Sequence, residues 1–184
     1  MNNLLEEMTC IRQHRGENMA SNIASKYLEL RKENIKQSMG GLESIGHRQQ
    51  YVDCVEGVMY YDDSKAENIN ATWFTFENIV NPVIWIVGGT SHTNYSELIN
   101  TVKKKVRAII SLGSEQENIE MTFHGSVKEI FAASNIEEAV YMASVIAQEN
   151  DMVLFSPASK DAEMSFEERG ECFVEEVQKI SGKA

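Results

Sequence analysis

Three observations predict an α/β fold, a mostly parallel sheet with helices on both faces in the Rossmann-like manner. From about residue 50 onward, short β-rich runs alternate with amphipathic stretches. One of those runs is apolar on both faces, as only a central parallel strand would be. The stretches between the runs carry apolar registers and caps that mark helices.

The elements follow in order. Asn18 to Glu33 and Glu33 to Met39 read as helices, ended by the Gly40-Gly41 break, with no strand before them. Tyr51 to Val55, the Glu56-Gly57 turn and Val58 to Tyr61 read as a strand pair. Pro82 to Val87, closed by Gly88-Gly89, is the central strand; Ala108 to Leu112 and Met152 to Phe155 are two more. Tyr95, Leu98, Ile99, Val102 and Val106 share one helical face, with Lys103, Lys104 and Lys105 forming a solvated last turn where the helix dipole favours cations. Ile136, Ala139, Val140, Ala143 and Ile146 repeat the register, with Ser134 and Glu137 spaced as a capping box. Ser165 and Glu168 form the same box before Phe166, Phe173, Val177 and Ile180.

Composition bounds the function. The 184 residues are 42 per cent apolar and hold 17 Lys and Arg against 28 Asp and Glu, a net charge of −11. Such a balance argues against nucleic acid or an anionic membrane surface as partner. No apolar run approaches the ~20 residues of a membrane span, so a cytoplasmic location is expected. Cys10, Cys54 and Cys172 are widely spaced and read as reduced thiols.

Among residues that could carry chemistry, Asp62-Asp63-Ser64-Lys65-Ala66-Glu67-Asn68 comes first. It lies where a strand ends and a helix begins, the place where open α/β sheets bind ligands. An ordinary polar turn with an Asp cap is the competing reading. His47-Arg48 offers a bidentate guanidinium beside an imidazole, and Gly88-Gly89-Thr90-Ser91-His92-Thr93 is a short polar loop after the central strand. Neither GxxxxGK[ST] nor GxGxxG occurs in the 184 residues.

The ordered set His47-Arg48, Asp63-Ser64-Lys65-Ala66-Glu67-Asn68, Ile84 to Gly89, Asp151 to Ala158 and Phe166-Glu167-Glu168-Arg169-Gly170 resembles the C-terminal domain of the Mur ligases of peptidoglycan synthesis. The likeness is strongest to their D-glutamate-adding branch in Bacteroidetes. By this resemblance residues 47–184 are the amino-acid-delivering domain. Residues 1–46 are a helical segment similar to the end of the family's central ATPase domain, whose asparagines near adenine would correspond to Asn18 and Asn22.

The resemblance implies ATP and Mg²⁺ as cofactors, held mainly by other domains, with UDP-N-acetylmuramoyl-L-alanine and D-glutamate as substrates. A separate ATPase-domain chain is a further implied partner. It places Arg48 on the phosphates, Asp63 on the ribose and Lys65 as the catalytic cation. His92, Phe166, Ser159 and Glu67 fall on the amino-acid site, and no residue is assigned to a metal. There the chain departs from the pattern. His92 stands where a lysine is expected, in a loop one residue shorter. Glu67 replaces a threonine, and the loop after Ala158 is two residues short. Glu67 is expected to add an uncompensated carboxylate and so to disfavour an acidic acceptor. A non-catalytic paralogue that binds a nucleotide, an anion or a protein is the alternative, and the 184 residues alone are expected to lack ligase activity.

Overall fold

In the computed structural model the apolar run becomes β3 (Val83–Gly89), with every residue buried. The structure describes residues 46–182 together with Lys26, Glu29 and Leu30. The helical readings between Asn18 and Met39, and the candidates Asn18 and Asn22, otherwise lie outside the described residues. Of the chain's two units, Met1–Gly40 and Gly41–Ala184, only the second is described further.

Its other strands are β1 (Gln50–Val55), β2 (Val58–Asp62), β4 (Val106–Gly113), β5 (Glu129–Ala133) and β6 (Met152–Phe155). The six form one sheet in the order β1-β2-β6-β3-β4-β5. β1 runs antiparallel to β2, with an irregularity between Tyr51 and Asp53, and all other pairings are parallel. An antiparallel hairpin thus edges a parallel sheet.

The helices are α1 (Ile69–Asn78), α2 (Ile99–Lys105, preceded by a 3₁₀ turn at Tyr95–Leu98), α3 (Gln116–Phe123), α4 (Ile136–Ile146) and α5 (Phe166–Ile180). Side chains alternate across a strand, so β3 feeds two cores. Val83, Trp85 and Val87 pack with Phe76 of α1, Val102 of α2 and Ile119 and Phe123 of α3. Ile84 and Ile86 pack with Ala139, Val140 and Ala143 of α4 and Phe173 and Val177 of α5. Trp85 meets Phe76 and Phe123 edge-on and donates its indole N–H to the Ser156 carbonyl at 2.8 Å. No helix among the described residues is long and apolar enough to cross a membrane. Cys54 and Cys172 are free thiols.

Three local expectations need correction. Asn135, not Ser134, caps α4: its side chain accepts from the Glu138 N–H at 2.8 Å, while Glu138 returns to the Ser134 N–H at 2.7 Å. The cap moves by one residue because asparagine caps as well as serine does, and Glu138 bonds the residue before the cap rather than the cap itself. Lys105 is not solvated; its ammonium donates to the Phe76 and Ile79 carbonyls at the end of α1. The helix after β2 is not capped by an aspartate, since Asn68 is the N-cap of α1, although Asp62 caps the turn by accepting from the Ser64 N–H. The Ser165–Glu168 box stands as read, and the backbone N–H of Ser165 holds the Glu168 carboxyl below its ordinary pKa.

The corner between α4 and β6 rests on Asp151, which accepts from the Gln148 N–H and from the Nε and Nη2 of Arg107 on β4. Arg107→Met would leave a buried carboxylate short of its cation. The expected loss is about 2 kcal/mol in urea denaturation, less than the 3–5 kcal/mol typical of a fully buried pair because Arg107 is partly exposed. Adding Asp151→Asn to that variant should recover part of the loss.

Candidate functional site

β2 ends at Asp62 and β6 at Phe155, and the ladder continues past both ends: the Asp63 N–H donates to the Phe155 carbonyl at 2.8 Å. The next residues fold into a turn pinned from two sides. Lys65 N–H donates to the His47 carbonyl at 3.1 Å, and the Ala158 N–H donates to the Ala66 carbonyl at 2.8 Å. His47 and Gln49 both hold positive φ, a cost that non-glycine residues bear only when their surroundings impose it. The segments carrying His47-Arg48, Asp63 to Asn68 and Ser156-Pro157-Ala158 therefore meet at the carboxyl edge of the sheet.

Adjacent strand positions point to opposite faces, and the two aspartates divide accordingly. Asp62 accepts from His47 Nδ1 at 2.6 Å and from the Ser64 N–H at 2.8 Å. Asp63 accepts from Thr75 Oγ1 at 2.7 Å, Ser156 Oγ at 2.9 Å and the Gln49 N–H at 3.2 Å. Arg48 Nη1 stands 3.7 Å from Asp63, is buried, and has no hydrogen-bond partner. Burial pushes the Asp63 carboxyl up to about 6, against the lowering pull of Thr75, Arg48, Ser156 and Gln49.

Phe166, the first residue of α5, joins the charged groups to the helix. Lys65 Nζ lies 4.5 Å above its ring centre, and His47 meets it edge-on at 6.3 Å. Gly170, one turn later, must lack a side chain. A Cβ there would stand 2.5 Å from Ser64 Oγ and 2.7 Å from Asp62 Oδ2, and closer still to His47 Nδ1.

The acceptor candidates fall differently. Glu67 is not an uncompensated charge: Arg169 Nη2 donates to Glu67 Oε1 at 3.2 Å, and Arg169 Nη1 to the Ser159 carbonyl at 3.3 Å. The expectation failed because Glu67 and Arg169 are 102 residues apart and only the packing of α5 brings them together. Ser159 is 1% exposed, and its hydroxyl donates to the Ser91 and Lys160 carbonyls. His92 is 85% exposed, with Nδ1 3.7 Å from Glu115. Glu115 itself is held by the Thr93 N–H and Asn118. The structure thus sets Arg48 by Asp63, Lys65 and His47 by Phe166, and Glu67 on Arg169, and turns Ser159 and His92 to loop contacts. Sequence reasoning missed Thr75 and Ser156 as the supports of Asp63, and Thr72, which bonds Ser156; Ser156 lay inside a quoted motif, one residue past Phe155, the partner of Asp62 across β2 and β6. Among the described residues, no group of three or more His, Cys, Asp or Glu side chains is placed to hold a metal ion.

The loops leaving β3 and β6 are joined to each other. Thr90 and Ser91 N–H groups donate to the Lys160 carbonyl, Ala162 N–H to Thr90 Oγ1, and Gly88 N–H to the Pro157 carbonyl. The connection from β3 goes to the α2 face and that from β6 to the α5 face, so these bonds close the crevice at the sheet's topological switch.

The family model described as "Mur ligase, glutamate ligase domain" matches residues 47–159. A UDP-N-acetylmuramoylalanine–D-glutamate ligase of Christiangramia forsetii is 37% identical over 172 residues, covering 91% of this chain and 39% of the relative. One of the same name from Porphyromonas gingivalis is 38% identical over 162 residues, 86% of this chain and 36% of the relative. The chain therefore spans less than two fifths of the curated relatives it matches. A MurF ligase of Thermotoga maritima, solved in complex with ADP, superimposes with a TM-score of 0.48 and 16% identity, over 79% of this chain and 36% of that one.

An Asp63 carboxyl raised above its unfolded value of about 4 binds its proton more tightly in the folded chain. Its contribution is greatest below pH 4 and is lost as pH rises to about 6. A carbon-detected NMR titration should give Asp63 a midpoint near 6, with stability falling across that window in Asp63 chains relative to Asp63→Asn.

Proposed function

The chain belongs to the Mur ligases, and from that premise we propose that residues 47–184 act as the amino-acid-delivering domain of an ATP-dependent D-glutamate ligase of peptidoglycan synthesis, in the cytoplasm. One observation carries the reading: a buried guanidinium at the carboxyl edge of the sheet, Arg48, has a nitrogen without a hydrogen-bond partner. Such a donor is completed by an anion arriving at the edge, and a phosphate suits both its charge and its planar fork. Lys65, held over the Phe166 ring, adds a positive charge at the same carboxyl edge.

The residues fit ATP unevenly. Arg48 and Lys65 would hold a phosphate and stabilise negative charge there, which is what ATP chemistry asks of them. Asp63 fits a ribose poorly, because it is fully buried and both oxygens are already bonded. We assign it instead to positioning Arg48. Mg²⁺, Asn18 and Asn22 remain part of the proposal through the family alone. The reading as a mere binding module is less well supported, since the motif residues at positions 48, 63, 65 and 166 are intact and converge.

For the acceptor, D-glutamate follows from the relatives' name, with UDP-N-acetylmuramoyl-L-alanine as the activated partner. Phe166, His92, Ser159 and Glu67 then border the site. The Glu67 carboxylate occupies Arg169, so an acidic acceptor must do without that cation.

The test is a chimera in which residues 47–184 replace the matching domain of the Porphyromonas gingivalis relative. It should release ADP only when UDP-N-acetylmuramoyl-L-alanine and D-glutamate are both present, and Arg48→Ala should cut the rate at least a hundredfold. A folded chimera without acceptor-dependent ADP release overturns the proposal. The 184-residue chain alone should release none, because it has no GxxxxGK[ST] loop to position the phosphates.

Replacing Glu67 by threonine in the chimera frees Arg169. The D-glutamate concentration giving half-maximal rate should fall at least threefold, read from initial rates at saturating ATP.

A further inference from the structure

The imidazole of His47 has no part in the reading above, yet the fold holds it from several directions. Its backbone sits at φ +62°, tied by the bond from the Lys65 N–H to its carbonyl and by its own N–H, which donates to Gln50 Oε1 at 3.0 Å. Its Nδ1 lies 2.6 Å from Oδ2 of Asp62, a carboxylate with no exposure to water. Helix α5 closes on the ring: Phe166 meets it edge-on, and Gly170 leaves free the room beside Nδ1 that a side chain would take. A non-glycine residue over-determined at positive φ points to a task for its side chain.

The bond to Asp62 decides which ring nitrogen carries the hydrogen. An ionised carboxylate only accepts, so Nδ1 is the donor, and in the neutral ring the lone pair then lies on Nε2. Among the described residues Asp62 alone bonds the ring, and the side chain is 20% exposed. An imidazole oriented by a buried carboxylate, with its far nitrogen unbonded and reachable, is the arrangement of a proton acceptor. Its placement indicates which proton. Arg48 goes with Asp63, whereas His47 goes with Asp62 toward α5 and touches Phe166, a residue assigned above to the border of the acceptor. The other charged groups around the pair are Lys65, over the same ring, and Arg169 of α5, whose charge interacts with Asp62. Both are cations and neither can take up a proton.

Resting on the ligase reading, we propose that His47 Nε2 takes the proton from the ammonium of the incoming amino acid, with Asp62 as its positioning residue. The ammonium has no lone pair and cannot attack until one proton has left. That proton passes from nitrogen to Nε2, giving the imidazolium that Asp62 stabilises. The freed electron pair forms the carbon–nitrogen bond to the acyl carbon of an acyl phosphate, the carbon–oxygen bond breaks, and phosphate departs with its electrons. The second proton shed by nitrogen leaves with the phosphate, and the imidazolium returns its own to water.

The test compares two amines in the chimera described above and in its His47→Asn variant. Asparagine tolerates positive φ and its amide can donate to Asp62, so the variant removes the base and keeps the bond. D-Glutamate arrives as an ammonium, whereas hydroxylamine is largely unprotonated at neutral pH and traps acyl phosphates as hydroxamates. His47→Asn should slow ADP release with D-glutamate about a hundredfold and hydroxamate formation about threefold at most. Equal slowing with both amines, or slowing with neither, overturns the assignment of His47. A parent chimera inert toward both overturns the ligase reading and this assignment with it. A second measurement needs no activity: in mildly alkaline buffer, the ring-nitrogen NMR shifts of His47 in the 184-residue chain should show a protonated Nδ1 and a bare Nε2. A proton found on Nε2 overturns the proposal.

Discussion

Two neighbouring carboxylates, Asp62 and Asp63, end β2 with no access to water, and the arrangement of the carboxyl edge is set by what each must find there. A buried ionised carboxylate is tolerated only when hydrogen bonds and cations surround it. Because the strand's alternation sends the two to opposite faces, the chain must supply two separate shells. Asp62 draws in His47 and the Ser64 N–H, and lies against the side-chain-free surface of Gly170. Asp63 draws in Thr75 from α1, Ser156 from the end of β6, and Arg48. The phosphate-class donor of the proposed function is therefore a by-product of satisfying an internal charge: Asp63 draws in Arg48, and the Nη1 facing it at 3.7 Å, still without a hydrogen bond, is the donor on which that reading rests.

How much of this was legible in the sequence depends on burial on one face or two. β3 and the helix from Phe166 announced themselves, the first by an unbroken apolar run and the second by its capping box and spaced apolar residues. β5 did not, because an edge strand with only Ala133 fully buried has little pattern to show. α3 was also unmarked, and α1 showed only as a helix beginning after the turn that follows β2. α1 is rich in β-branched and aromatic residues, and tertiary packing of Phe76 against Trp85 overrides that preference. α3 has only eight residues and one short apolar face.

The site was legible in its members and not in their pairings. His47, Arg48, Asp63, Lys65 and Phe166 stood out as residue types in a known order. Nothing in one-dimensional spacing joins Glu67 to Arg169 or Ser156 to Asp63, since those contacts exist only once β6 lies beside β2 and α5 packs behind it. Reading Glu67 as an isolated negative charge was reasonable from its neighbours in sequence and wrong for its neighbours in space.

The bonds joining Thr90 and Ser91 to Lys160, and Thr90 to Ala162, also bear on how such a chain can diverge. Some seventy positions separate the two segments. Strung together carbonyl to amide, they share a common register, so a deletion in one leaves its mate with dangling groups until a matching deletion follows. The two loops are thus one mechanical unit whose lengths are constrained jointly, since each supplies the partners of the other's backbone groups.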